Sequence, residues 1–204
     1  MYLSRAHSVR SFRRNFHAVL CMVVHAVSPC TLHAILRASV SGFTHSCINI
    51  SSFLVHQTLI RLKNISKIAL AFFSWAKDQA HYSHDSPAYD LMIDILGKVR
   101  QFDAAWQLIV EMDQNGVNPT STTFYVLIRR LISAGLTRQA IRAFDDMGCF
   151  VVNDSDQQPI DDFYFLFDIL CKYGYPKVAT EMFNKWKNWR FQPDAKIYTI
   201  FVYG

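Results

Sequence analysis

One pattern of side chains returns along this chain at intervals of 35, 39 and 35 residues, and that register constrains the fold more than any single motif could. The first copy sets Tyr89, Met92, Ile93 and Leu96 at i, i+3, i+4 and i+7, which is one face of an α-helix. A polar joint, GKVRQ, interrupts the periodicity, and a second apolar face follows in Ala105, Ile109 and Met112. Phe124, Leu127, Ile128 and Leu131 restart the pattern, with Ala140, Phe144 and Met147 after a joint holding Gly135. Phe163, Leu166, Phe167 and Leu170 do so again, followed by Gly174 with Pro176, then Ala179, Phe183 and Trp186. Tyr198, Phe201 and Val202 begin a fourth copy. Helices that merely shared a core would not hold register to one residue across their joints.

The punctuation agrees. Ser86 before Pro87 reads as an N-cap followed by a first-turn proline. Thr137 is placed to cap a second helix. Asn115-Gly116 offers a left-handed C-cap, and Pro119 stops the helix from continuing. One hairpin cannot bury both sides of its apolar stripe, whereas stacked hairpins share their buried faces. The expected fold is therefore all-α, a right-handed αα-solenoid of stacked helix-turn-helix repeats. Ala105, Ala140 and Ala179 mark close helix–helix approach, because a larger side chain would force the pair apart.

The chain divides on this reading into 1–45, a transit peptide or disordered start; 53–85, a degenerate opening repeat; 86–120, a repeat; 121–159, a repeat with an inserted loop; 160–194, a repeat; and 195–204, a truncated one. In the opening repeat Ala69, Phe73 and Ala76 fit the second-helix offsets, but Phe53, His56, Gln57 and Ile60 make a poor first helix. The inserted loop is GCFVVNDSDQQP.

Composition matters for what it says about the two ends. Residues 1–77 hold nine Lys or Arg and no acid, whereas all sixteen acids lie from Asp78 onward against twelve cations, a balance of −4. Arg5, Arg10, Arg13 and Arg14, interleaved with Ser and aliphatic residues, have the make-up of an organelle transit peptide, mitochondrial first and plastid second. The apolar run from Ala18 to Val27 is broken by His25 and is too short to span a bilayer. With Ala26-Val-Ser28 as a cleavage site it could also be read as secretory, and an uncleaved, disordered N-terminus is a further reading.

No catalytic constellation emerges. All eight histidines lie at or before His84, and Glu occurs only at Glu111 and Glu181, on positions that read as solvated helix face. His81 and His84 bracket YS in a linker with no further ligand at metal spacing, and read as surface histidines. Asp161-Asp162 opens a helix and suits its dipole. Five cysteines show no CxxC, so neither a zinc nor a thioredoxin-type site is signalled, and Cys171 reads as core filler. There is no phosphate loop and no glycine-rich fingerprint. The expectation is no enzyme, no metal, no cofactor, no membrane span and no small-molecule substrate.

The period of 35, the Tyr- or Phe-led first helix, the Ala-led second helix and the close in EMDQNGVNPT resemble the pentatricopeptide repeat. YFLFDILCKYG looks like that family's repeat opening, and ALAFFSWA resembles the segment that often opens its organellar P-type members, mostly from plants. The resemblance covers about residues 53–204, and on it the chain looks truncated after about three full repeats. It implies single-stranded RNA binding in an organelle, roughly one base per repeat, for RNA processing, stability, splicing or translation. It also implies that the base is chosen by the residue after the first-helix aromatic together with the last residue of the repeat. Those pairs are Asp90 with Thr120, Tyr125 with Pro159, and Tyr164 with Asp194, with Thr199 beginning another. The family's usual choices at the first position are Asn, Thr or Ser, so Asp90 and the two tyrosines leave the base code illegible. A family lysine near the end of the first helix is matched by Lys98 and Lys172 but not by Ser133, and Arg129 and Arg130 complete the phosphate candidates. A helical-repeat scaffold for protein partners is the competing reading, and a net charge of −4 over 78–204 favours it, because phosphate binding draws on Lys and Arg.

Overall fold

The computed structural model describes residues 50–79, 81–151, 160–187 and 190–203. The transit-peptide reading of 1–45, residues 152–159 of the inserted loop and the base-selecting candidate Pro159 lie outside the described residues. Nine helices and no strand occur among the described residues. The chain divides between Ser83 and His84 into two compact units.

The described part of the first unit is a helix hairpin. α1 (Ser52–Leu62) is better formed than its apolar offsets predict, because the Ser51 side chain accepts from the Leu54 N–H at 3.3 Å and caps it. Its buried stripe runs through Val55, Thr58, Leu59 and Leu62, two residues later than the expected offsets Phe53, His56, Gln57 and Ile60. α2 (Ser66–Lys77) packs on it and buries Ala69, Phe73 and Ala76.

The second unit continues with α3 (Ser86–Lys98), α4 (Phe102–Gln114), α5 (Ser121–Ser133), α6 (Thr137–Phe150), α7 (Ile160–Lys172), α8 (Pro176–Trp186) and α9 (Ala195–Tyr203). α3 pairs with α4, α5 with α6 and α7 with α8, while α3, α5, α7 and α9 lie side by side in that order. Tyr89 near the start of α3 reaches Glu111 and Asn115 near the end of α4, at 3.2 and 3.0 Å, so each hairpin is antiparallel. Short connections therefore lie along one edge and repeat-to-repeat connections along the other. The leading aromatics Tyr89, Phe124 and Phe163 are buried, and Ala105, Ala140 and Ala179 have no exposed surface at all. Phe144 stacks on Trp186 at 5.6 Å and meets Phe163 edge-on at 5.3 Å, joining consecutive repeats.

Several local expectations change. Asp85, not Ser86, caps α3, accepting from the Ala88 N–H at 3.1 Å; the proline is still in the first turn, and the longer reach of the carboxylate suits the cap one residue earlier. α6 opens at Thr137 with Leu136 as its uncapped N-cap residue. Gly97, read as part of the joint, is inside α3 and buried. Glu111 is not merely solvated, since it accepts the Tyr89 hydroxyl. His84 is buried against the edge of Tyr89 at 5.6 Å rather than lying on the surface. In α9 the offsets Tyr198 and Val202 are exposed and Ile197 is buried, while the offset Phe201 meets Phe167 of α7 at 5.4 Å.

The joints share one backbone feature. Gly135 and Gly174 turn out of their first helices with φ of +82° and +81°, and Arg100 does so at +59° in the same register of the preceding repeat. A non-glycine residue there carries the steric cost of the left-handed region.

Candidate nucleic-acid interface

On α3 the residues Asp90, Asp94 and Lys98 follow one another at i, i+4 and i+8 and form one stripe. The corresponding stripes are Tyr125, Arg129 and Ser133 on α5, and Tyr164, Asp168 and Lys172 on α7. Cross-helix contacts keep these stripes parallel and in register. Arg130 of α5 reaches Asp94 of α3 through Nε at 2.7 Å and Nη2 at 2.6 Å. Tyr125 of α5 stacks on Phe165 of α7 with ring centroids 3.9 Å apart and planes 18° off parallel.

The residues after the leading aromatics are engaged with the next repeat. Burial raises the Asp90 pKa above its ordinary 3.8, and the Thr123 hydroxyl nearby opposes that shift. Asp90 Oδ1 is buried without a partner. Tyr125 donates to the buried Asp162, and its pKa is pushed above the usual phenol range by burial first and by Asp162 second. Thr123 and Asp162 each stand immediately before the leading aromatic of their own repeat. Ile197 stands at the equivalent place before Tyr198 and cannot accept, so Tyr164 bonds Asp194 instead. That bond is the main cause that pushes the Tyr164 pKa up to about 12 and holds Asp194 below its ordinary 3.8. The structure thus joins Tyr164 and Asp194 directly. Asp194 also caps α9 through the Ile197 N–H at 3.0 Å, and Lys196 Nζ lies 3.8 Å from the centroid of the Tyr164 ring.

The other base-selecting candidates are spent locally. Thr120 and Thr123 form a capping box at the start of α5, with the Thr120 N–H 3.3 Å from Thr123 Oγ1. Exposed Thr199 donates to the Ala195 carbonyl at 2.9 Å.

Among the phosphate candidates, Lys98, Arg129 and Lys172 are exposed. Lys98 lies 3.5 Å from Asp94 and Lys172 lies 2.8 Å from Asp168, each one turn earlier on its own helix. Arg130 is turned away to Asp94 and lies over Gly97, where a Cβ would stand 2.8 Å from Arg130 Cβ and 2.6 Å from its Cγ. Arg129 makes no ion pair among the described residues. Sequence reasoning missed Asp94, Thr123, Asp162, Phe165 and Asp168 as partners. A signal for two of them existed, since Thr123 and Asp162 are the polar residues directly before Phe124 and Phe163. No group of acids, histidines and cysteines among the described residues is arranged to hold a metal ion, and no described helix is long and apolar enough to cross a membrane.

The sequence profile of the PPR repeat family matches residues 84–133. A mitochondrial pentatricopeptide repeat-containing protein of Arabidopsis thaliana is 50% identical over 157 residues, 77% of this chain and 30% of that protein. Another mitochondrial member from the same plant is 32% identical over 165 residues, 80% of this chain and 31% of its own length. This chain therefore spans about a third of such relatives. The crystal structure of the pentatricopeptide repeat protein PPR10 from maize superposes with a TM-score of 0.61 at 20% identity, over 85% of this chain and 23% of that one, and shares its fold.

Proposed function

We propose that this chain, which belongs to the pentatricopeptide repeat family, is an adaptor that binds single-stranded RNA along its first helices, roughly one base per repeat. Its compartment is the mitochondrion, as in the names of several relatives. The process served is the processing, stability, splicing or translation of an organellar transcript. The observation that carries the RNA reading is the row formed by Asp90, Tyr125 and Tyr164 on parallel neighbouring helices, with Lys98 and Lys172 two turns further along the same stripes.

The geometry sets the character of the binding. Tyrosines can stack on a base without reading it, at about 1–3 kcal/mol per base. Here Tyr125 already stacks on Phe165, and both tyrosines already donate to carboxylates, so a base competes with an intramolecular partner. Asp94 and Asp168 likewise offset Lys98 and Lys172. Three such repeats, after ordering costs, support affinity of about a micromolar or weaker, with strong salt dependence and little base choice.

Titrating labelled RNA of about ten nucleotides, single-stranded and duplex, at two salt concentrations tests this, since the salt slope counts neutralised phosphates and duplex bases are already stacked. Lys98→Ala with Lys172→Ala should weaken binding to every sequence alike and flatten the slope. Tyr164→Asn frees Asp194 and should create a preference for uracil if the family's pairing rule carries over. Absence of binding at low salt, or equal binding of duplex, refutes the RNA reading and leaves the protein-scaffold reading in its place.

A further inference from the structure

The charge balance of −4 over residues 78–204 hides a segregation that the hairpin topology creates. The second half of each first helix, the joint and the start of each second helix share one edge of the second unit. This joint edge holds Lys98, Arg100, Arg129, Arg138, Lys172 and Lys177, with Arg130 inward of them. Its acids are Asp94, Asp103 and Asp168, of which Asp94 and Asp168 are already paired. The opposite edge carries Asp85, Glu111, Asp113, Asp145, Asp146 and Asp161. Its cations are committed: Arg190 to Asp145, Lys196 to Asp161 at 3.7 Å, Lys187 over the Phe183 ring at 5.7 Å, and Lys185 likewise to a partner. Arg142 and Glu181 sit midway along α6 and α8, on neither edge. Among the described residues of the second unit, Arg100, Arg129, Arg138, Arg142, Lys177 and Lys187 have no carboxylate partner, and Arg100, Arg129, Arg138 and Lys177 of these stand on the joint edge.

Arg138 and Lys177 occupy the same register of α6 and α8, and both are exposed. The second repeat is the one that carries Ser133 where its neighbours carry Lys98 and Lys172. Arg138, five residues later at the same joint, restores a cation there. We propose that the joint edge is a phosphate-binding ledge, on which Arg138 stands in for the missing first-helix lysine and Arg100 and Lys177 extend the charge beyond Lys98 and Lys172. Its ligand is the sugar–phosphate backbone of single-stranded RNA. A cation supplied at every joint matches a polymer whose charges recur regularly, as an acidic peptide's need not. The ledge contributes no base choice, because it meets only phosphates. It rests on the RNA reading above and adds where the backbone runs.

The test is the salt dependence of single-stranded RNA binding by the whole chain. Each phosphate contact to a single strand contributes roughly 0.7 to the slope of log affinity against log salt. Arg138→Ala with Lys177→Ala should lower that slope by about 1.4, equally for all RNA sequences. Ser133→Lys in the Arg138→Ala background should recover about 0.7, which a purely structural role for Arg138 would not allow. Lys185→Ala with Lys187→Ala on the opposite edge should leave the slope unchanged. Because the substituted side chains are exposed, unchanged thermal melts confirm that the variants are folded, and Arg138→Gln with Lys177→Gln repeats the test with longer polar side chains. If Lys98→Ala with Lys172→Ala flattens the slope while the Arg138 and Lys177 variants do not, the ledge is overturned and the RNA reading stands. If polyglutamate of equal charge displaces RNA as well as RNA does, the edge is an acidic-peptide site and the ledge is likewise overturned. If the unaltered chain binds no RNA, the earlier reading fails by itself.

Discussion

Gly97→Ala separates local helix preference from inter-repeat packing, and the two predict opposite signs. Gly97 lies inside α3, and alanine in a helix interior is worth about 1 kcal/mol more than glycine. Its added Cβ, however, would stand 2.6 Å from Arg130 Cγ and 2.8 Å from Arg130 Cβ. Those atoms are next to the α5 backbone and cannot swing aside as a guanidinium tip could, so α5 must move away from α3. Overpacking of this kind costs about 1–3 kcal/mol, and the movement also disturbs the Arg130–Asp94 pair at 2.6 Å. The net expectation is a loss of about 1–2 kcal/mol, or roughly 4 °C in Tm per kcal/mol for a unit of this size. Urea and thermal melts of Gly97→Ala, Arg130→Gly and the double variant complete the measurement. The propensity cost of glycine in α5 enters both legs of that cycle and cancels, so the coupling isolates the clash and should favour the double variant by at least about 1 kcal/mol. Stabilisation by Gly97→Ala, or strictly additive effects, would refute the packing argument.

Two further changes are informative. Arg100→Gly removes a side chain from φ +59°, matching Gly135 and Gly174, and after the entropy cost of glycine should stabilise by about 0.5 kcal/mol in a urea melt. The same variant should lower the RNA salt slope, so it gains stability and loses binding. Asp90→Asn removes a partly buried carboxylate with an unpartnered oxygen, and should raise stability at neutral pH by up to about 1 kcal/mol. Because burial raises the Asp90 pKa, the folded chain holds that proton more tightly than the unfolded one. Stability of the unaltered protein should therefore gain a contribution as pH falls through the folded value toward 3.8, one absent at neutral pH and absent from the Asn variant. Asp194 works in the opposite sense: its depressed pKa contributes stability above 3.8 that is lost as pH falls through the lower folded value, and Tyr164→Phe should remove most of it. Melts of the three proteins across pH 2–6 distinguish these signs.

The division between what was legible and what was not follows the range of the interactions. A helix projects residue spacing onto a face by its own geometry, so Tyr89, Phe124 and Phe163 announced a buried stripe, and Ala105, Ala140 and Ala179 a close approach, with no knowledge of partners. The same periodicity carried the repeat, the all-α solenoid and the family. What the polar residues do was not legible, because it depends on the distance and rotation between helices about 35 residues apart. No spacing within one helix encodes that Asp90 meets Thr123, that Tyr125 lies on Phe165, that Glu111 receives Tyr89, or that Gly97 makes room for Arg130. Charge shows the limit most plainly. Its sum over residues 78–204 is acidic and argues against a phosphate ligand, whereas reversing chain direction at every joint sorts the same residues onto two edges of opposite sign. The helices were written in the sequence, but the electrostatic face they present was decided only when antiparallel packing brought their ends together.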